Sequence, residues 1–398
     1  VVGSGGIRLW ACRRDLWQLR IGVDVVAAQS QGFRHAIVYG GEGMKIAFLL
    51  YGIPQNGGVK VLFRVGSLLQ ARGHQVTYYV AETPRELPFP SSCEFVFACH
   101  EYRNAVGRVA WLARTPIDAD VAIATFHPTA MALSLNGTFR GRGLYYVQAY
   151  EPDFYSDSAL HILRRWPMML AAAASYLLPL EIIVNCEGSK RGLTTGTRRR
   201  VARIPPGIDL GLYCPRLRTS HKIIVGHISR REAWKGSRHF FRAMAVLRDC
   251  GYQFHVRVAY DLCVETGGLQ YEAIHPATEE ELADYYSGLD VLVSTVTQKG
   301  FGYPPLEAMA SGALCVATPM DFGQPGVDHL PILANSSDSI VRVMERVFAL
   351  QARAPFIEAG LRTAATFDWE RIADQWCTLL SGKDGARFAA DIYAANTL

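Results

Sequence analysis

The chain has 398 residues, 49% apolar and 19% charged, which excludes disordered and low-complexity classes and leaves length for roughly two to three domains. Its 41 Lys and Arg against 36 Asp and Glu give a net charge of +5, too small and too scattered for a nucleic-acid binder. The nine cysteines (12, 93, 99, 186, 214, 250, 263, 315 and 377) are odd in number and form no Cys-x-x-Cys pair, which argues against a disulfide framework or zinc site and for a reducing, cytoplasmic setting.

Residues 1–43 have no clear apolar period and are rich in Arg, Gln and Gly, whereas Met44-Lys45-Ile46-Ala47-Phe48-Leu49-Leu50 reads as a first buried strand. The sequence therefore places 1–43 outside the fold, as a non-native or disordered extension with Met44 as the natural start. A strand over Lys45 to Leu50 leads through Gly57-Gly58 into a helix. One face of that helix carries Val59, Leu62, Phe63, Gly66 and Leu69, and Gly73 ends it in a left-handed cap. Val76 to Val80 reads as the next strand, and Val121 to Thr125 as a later one with His127 just after it. Trp166 to Val184 is the most apolar run. Pro167, Pro179 and Glu181 argue against a membrane span, so it reads as a buried helix followed by a core strand over Ile182 to Val184. Arg164, Arg165 and Trp166 lead into it, a weaker sign of peripheral membrane contact.

The theme then repeats. A strand over Lys222 to Val225 is followed by a helix from about Gly236, with Phe240, Met244 and Leu247 on its face and Gly251 at its end. Phe254, Val256, Val258 and Tyr260 alternate as a strand, and Thr278 with Glu281 form a capping box ahead of a helix that leads to a strand over Asp290 to Ser294. Strands alternating with helices, started twice, imply two doubly wound parallel-sheet domains. We place them at 44–213 and 217–366, with a terminal helix over 367–381, capped by Asp368, that crosses back, and a tail at 382–398.

In open parallel sheets ligands sit beyond the carboxyl ends of the strands, where helix N-termini suit phosphates. Gly57 and Gly58 lie at such a place, as do Arg230, Arg231 and Lys235, cations that oppose the following helix dipole unless an anion lies between them. Gly300-Phe301-Gly302-Tyr303-Pro304-Pro305-Leu306-Glu307 starts a helix with two prolines and sets Glu307 in its first turn, where a carboxylate can accept two ribose hydroxyls. His127 points the same way, either toward a ligand or as a bonded structural histidine. Asp118-Ala119-Asp120 precedes its strand and is discounted as a metal-sugar motif. Neither first turn has the Gly-x-Gly-x-x-Gly of a nicotinamide enzyme.

These residues resemble glycosyltransferase family 4. The resemblance lies in Met44 to Val80, Pro205-Pro206-Gly207-Ile208-Asp209, Arg230 with Lys235-Gly236, Asp290 to Ala310, and Phe367-Asp368-Trp369. It implies the GT-B fold, two Rossmann-like doubly wound parallel-sheet domains facing a central cleft, and transfer of a sugar from a nucleotide-diphosphate donor with retention, without a metal or other cofactor. By resemblance, Glu307 binds the ribose, and Lys299, Gly300, Phe301, Gly302 and Tyr303 line the donor segment. Arg230 and Lys235 act on the leaving diphosphate, Gly57 and Gly58 approach the donor, and His127 contacts the sugar or reaction centre. The family's Arg after the strand glycine is His227 here, and its usual Glu eight positions before Glu307 is Lys299. Tyr145 to Tyr155 and Tyr303 to Glu307 are similar to a bacterial rhamnosyltransferase branch, which implies a deoxythymidine diphosphate-rhamnose donor; the expected acceptor is a glycan or lipid-linked saccharide in bacterial cell-surface polysaccharide assembly. Glu151 and Asp153 either face that acceptor or cap a loop. A non-catalytic nucleotide-sugar-binding homologue or partner subunit is the alternative, on the strength of Lys299.

Overall fold

In a computed structural model of the chain, the described residues are 9–12, 16–20, 43–99, 102, 104–156, 162–194, 201–216, 222–229, 236–260, 266–295, 301–320, 322, 323 and 325–382. They form two compact units, one of residues 1–204 with 373–398 and one of residues 205–372.

The first unit is built on nine strands: β1 (Leu9–Cys12), β2 (Leu16–Arg20), β3 (Lys45–Leu50), β4 (Gln75–Val80), β5 (Glu94–Phe97), β6 (Val121–Ala124), β7 (Arg142–Val147), β8 (Glu181–Val184) and β9 (Val201–Arg203). Their order is β1-β2-β5-β4-β3-β6-β7-β8-β9. From β5 to β9 every pairing is parallel, while β1 and β2 form an antiparallel hairpin against the edge of β5. That hairpin gives parts of 1–43 a place the sequence does not assign them; the unpaired edge of β5 is a template onto which strand-forming segments add. Helices α1 (Gly57–Ala71), α2 (Ala105–Arg114), α3 (His127–Leu135), α4 (Asp153–Ser156), α5 (Ile162–Ser175) and α6 (Glu187–Thr194) connect the strands. Ile46 to Leu50 are all buried, as expected of a parallel strand covered on both faces. Tyr78 stacks on Phe48, Phe63 and Phe95 and donates its hydroxyl to Leu62 O at 2.7 Å; Gly66 makes room for it, since any Cβ there would overlap that hydroxyl.

The run from Trp166 departs from expectation. It forms α5 and then β8, but α5 is not a buried helix: Trp166 is 57% and Leu170 65% exposed. Its core-facing positions are small, Ala172 and Ser175, so the bulky side chains fall on the outward side.

The second unit has β10 (Ile224–Ile228), β11 (His255–Ala259), β12 (Glu272–Ile274), β13 (Val291–Ser294), β14 (Leu314–Ala317) and β15 (His329–Pro331) in the order β12-β11-β10-β13-β14-β15, all parallel. Between them run α7 (Ser237–Asp249), α8 (Glu279–Ser287), α9 (Tyr303–Ala310), α10 (Ser337–Ala349) and α11 (Ala354–Ala365); α12 (Trp369–Leu380) follows. Strand β10 starts two residues later than the apolar pattern suggests and reaches Ile228, because Gly226 and His227 also pair with β11. The chain divides at Ile204 and Pro205, ahead of the polar stretch near 213–217. Residues 205–213 are tied into the second unit: Ile208 N donates to Phe367 O at 2.8 Å, and Gly207 lies so close under Trp369 that a Cβ would come within 2.5 Å of its ring.

Asp368 caps α12 by accepting from Glu370 N at 2.9 Å. Beyond Ile372 the helix belongs to the first unit, where Trp376 meets Tyr146 edge-on at 5.1 Å and Arg142 donates to the helix-end carbonyl of Leu379 at 2.8 Å.

Candidate functional site

Among its parallel strands, each unit's strand order reverses once. The first unit winds outward on either side of the β3/β6 pair, the second on either side of the β10/β13 pair. Such reversal points are where the connections part and leave a crevice at the carboxyl ends. In sequence, candidate residues follow each of these four strands, and Glu151 and Asp153 follow β7.

After β3, Asn56 caps α1 by accepting from Val59 N at 2.9 Å. Gly57 is exposed, and a Cβ on it would meet nothing within 4 Å, so packing does not require the glycine. Gly58 is half-buried, and its carbonyl accepts from Gln148 Nε2 at 3.3 Å. The turn is buttressed from beneath. Glu82 Oε1 accepts from Ile53 N at 2.7 Å, and Arg108 pairs with Glu82 at 3.1 Å, donates to Tyr51 O at 3.2 Å and lies over the Tyr51 ring.

After β6, Thr129 Oγ1 accepts from the backbone N–H of Thr125 and Phe126 and so starts α3 with His127 as its first residue. His127 is 2% exposed. Its N–H donates to Glu151 Oε2 at 2.7 Å, and its ring Nε2 lies 2.7 Å from Tyr155 Oη. Burial pulls its pKa down to about 4, so the imidazole is neutral at physiological pH. Glu151 is also 2% exposed, which removes it as a residue facing an acceptor. The Pro152 turn folds it inward, where Tyr145 Oη donates to its Oε1 at 2.6 Å and its own N–H donates to Tyr176 Oη at 3.0 Å. Burial pushes its carboxyl up to about 8, against the two hydrogen bonds that favour the charged form. Asp153 is half-buried at the start of α4.

On β10, His227 occupies the position where the sequence resemblance expects Arg. It is buried, stacked on Phe240 at 4.3 Å, with Nδ1 2.9 Å from Val293 O and Nε2 3.0 Å from Ser237 Oγ, so it holds the first residue of α7. Gly236 has φ of +72°, and a Cβ there would come within 2.8 Å of Thr295 and Asn335; conformation and space both require glycine. Arg230, Lys235, Lys299 and Gly300 lie outside the described residues.

After β13, Phe301 is buried against Phe322 and Phe367. Gly302 turns with φ of +86°, and Tyr303 starts α9 and donates its hydroxyl to Gly207 O at 3.1 Å. Glu307 is therefore in the second turn of α9 and not the first, because Pro304 and Pro305 fill the N2 and N3 positions, where missing N–H groups cost nothing. A plain dipole role at the helix N-terminus loses its basis, since that effect falls off within one turn. Glu307 is 7% exposed and faces the hydroxyls of Tyr213 and Tyr286; burial first, and then its charge, raise both tyrosines far above their ordinary value.

Residues 222–349 match the family described as glycosyl transferases group 1. EpsF of Bacillus subtilis (strain 168), which carries the name of a glycosyltransferase, is 28% identical over 144 residues, 31% of this chain and 38% of its own. The chain spans half or less of the length of the curated relatives it matches. Sucrose-phosphate synthase from Thermosynechococcus elongatus superposes with a TM-score of 0.70 at 19% identity, over 85% of this chain and 98% of that one. HepE of Anabaena, solved with UDP-glucose, gives 0.64 at 16% identity, over 85% of this chain and 100% of its own. The chain has the GT-B fold, and within its second unit residues 222–349 are similar to group 1 glycosyl transferases.

Proposed function

We propose that the protein is a glycosyltransferase that moves a sugar from a nucleotide-diphosphate donor to a glycan or lipid-linked acceptor, with retention and without a metal, in cell-surface polysaccharide assembly. The observation that carries this reading is the group 1 match over 222–349, because that stretch contains both the α7 N-terminus and the buried Glu307. The bond from the anomeric carbon to the diphosphate oxygen breaks, a bond to the acceptor hydroxyl oxygen forms, and the hydroxyl proton leaves with the diphosphate. Arg230 and Lys235 offset the charge that develops on the diphosphate as it departs. Glu307 accepts from the ribose hydroxyls. In the first unit, Gly57 leaves a helix N-terminus open and His127 offers a neutral imidazole; we assign these to the sugar.

Deoxythymidine diphosphate-rhamnose is the first donor to test, on the resemblance of Tyr145 to Tyr155 and Tyr303 to Glu307. No helix among the described residues is long and apolar enough to cross a membrane. The exposed Trp166, Leu170 and Leu177 beside Arg165 support contact with a membrane surface. The test is release of nucleoside diphosphate from deoxythymidine, uridine and guanosine diphosphate sugars by the full chain, with and without an oligosaccharide acceptor. Acceptor-dependent release from one donor supports the reading. Binding without release supports instead the non-catalytic alternative, and Lys299→Glu is then the variant to make.

A further inference from the structure

We propose that Glu151 is a positioning residue for His127: a carboxyl group on the turn after β7 sets the imidazole presented after β6. The inference rests on the glycosyl-transfer reading for what His127 does in the reaction, whereas the placement of the ring is a property of the first unit alone.

Two groups four positions apart grip His127 at both ends. Glu151 Oε2 takes its backbone N–H at 2.7 Å, and Tyr155 Oη meets its ring Nε2 at 2.7 Å. The grip is itself anchored. Glu151 Oε1 accepts from Tyr145 on β7, the Glu151 N–H donates to Tyr176 just beyond α5, and Tyr145 Oη lies 3.4 Å from Ser175 Oγ. The ring is 2% exposed, its Nδ1 has no hydrogen-bond partner among the described residues, and Phe126 meets it edge-on at 4.6 Å. Its orientation thus depends on the backbone at 127 and on Tyr155. The N–H of the first residue of α3 has no partner within the helix. An apolar side chain at 151 would fill the space but accept nothing, and burying an acid there is costly.

The experiment is histidine side-chain NMR on the full chain, with His127→Ala identifying the ring signals, run alongside turnover. Glu151→Ala is expected to shift the His127 signals and move its titration up from about 4 toward the ordinary 6.5, while Glu151→Gln, which keeps an acceptor for the backbone N–H, leaves both near wild type. If Glu151→Ala does not fold, Tyr145→Phe removes one bond to the carboxyl and is expected to shift the same signals less. In turnover, Glu151→Ala is expected to lower kcat at least tenfold with donor KM within threefold, Glu151→Gln to restore it, and Glu151→Ala with His127→Ala to be no slower than His127→Ala alone. Unchanged His127 signals in Glu151→Ala, or full additivity in the double variant, overturns the proposal. Absence of turnover with every donor overturns the glycosyl-transfer reading instead, and the NMR result still decides whether Glu151 positions the ring.

Discussion

In the first unit the buried carboxyl group, Glu151, is 2% exposed, and both its oxygens accept from the protein's own Tyr145 and His127 N–H. In the second unit a buried carboxyl group, Glu307, is 7% exposed, on the second turn of a helix entered through a glycine turn and two prolines, with two tyrosine hydroxyls against it. Both stand near the carboxyl ends of parallel strands: Glu151 follows β7 and accepts from His127 after β6, and Glu307 follows β13. The contrast shows that location selects candidates but does not assign roles. Glu151 shapes the unit that holds it, whereas Glu307 is the residue our proposal gives to the ligand.

The largest effect that sharpens this contrast is on the two glycine turns. Gly236→Ala forces a side chain into a left-handed backbone and into Thr295 and Asn335, and should cost about 2 kcal/mol or more of stability, read as a lower Tm. Gly57→Ala meets no atom within 4 Å and should leave Tm unchanged or raise stability by up to about 1 kcal/mol, while lowering turnover if donor approaches that backbone. Equal losses of stability would erase the distinction between a turn fixed by packing and one left open. Next, Glu307→Ala and Lys235→Ala should each lower donor-dependent turnover at least tenfold, a loss of about 1.4 kcal/mol. Wild-type rates in both would remove the second unit's site.

The legibility of the sequence divides along the same line. Backbone features with local signals were readable: the glycines at 73, 236, 251 and 302 all take positive φ, Asp368 caps α12, and Thr278 caps α8. The Thr278 box closes only in part, since Glu281 reaches Ala277 N. Asn56 carried a readable signal as well, an Asn immediately before the first helical residue. What could not be read were contacts between distant segments. The inward turn of Glu151, the Arg108–Glu82 buttress and the tyrosines around Glu307 join residues from 21 positions apart upward. The same limit hid the outward face of α5, because an apolar run does not say which side its large residues take.

A smaller effect concerns pH. His127, lowered to about 4 from the ordinary 6.5, binds fewer protons folded than unfolded between those values, so its contribution to stability grows as pH rises to 6.5. Glu151, raised to about 8 from the ordinary 4.5, binds more protons folded than unfolded in that interval, so its contribution is lost as pH rises through 8. The two slopes oppose each other from 4.5 to 6.5, leaving Glu151 alone from 6.5 to 8. Tm should therefore fall over that last interval in the wild type and fall less in Glu151→Gln; parallel curves would mean that Glu151 is charged well below pH 8. The smallest effect is at the surface. Trp166→Ser, at a side chain 57% exposed, should change stability by no more than about 0.5 kcal/mol, and a larger loss of Tm would show that α5 is covered.

The central claim, that the second unit binds a nucleoside diphosphate through Glu307, is tested most directly by calorimetric titration. The full chain is titrated with uridine, guanosine and deoxythymidine diphosphates, in parallel with Glu307→Ala. The account predicts saturable binding of one nucleotide by the wild type, weakened at least tenfold in a Glu307→Ala protein of unchanged fold. Equal affinity in the two proteins, or no binding of any of the three, would contradict it.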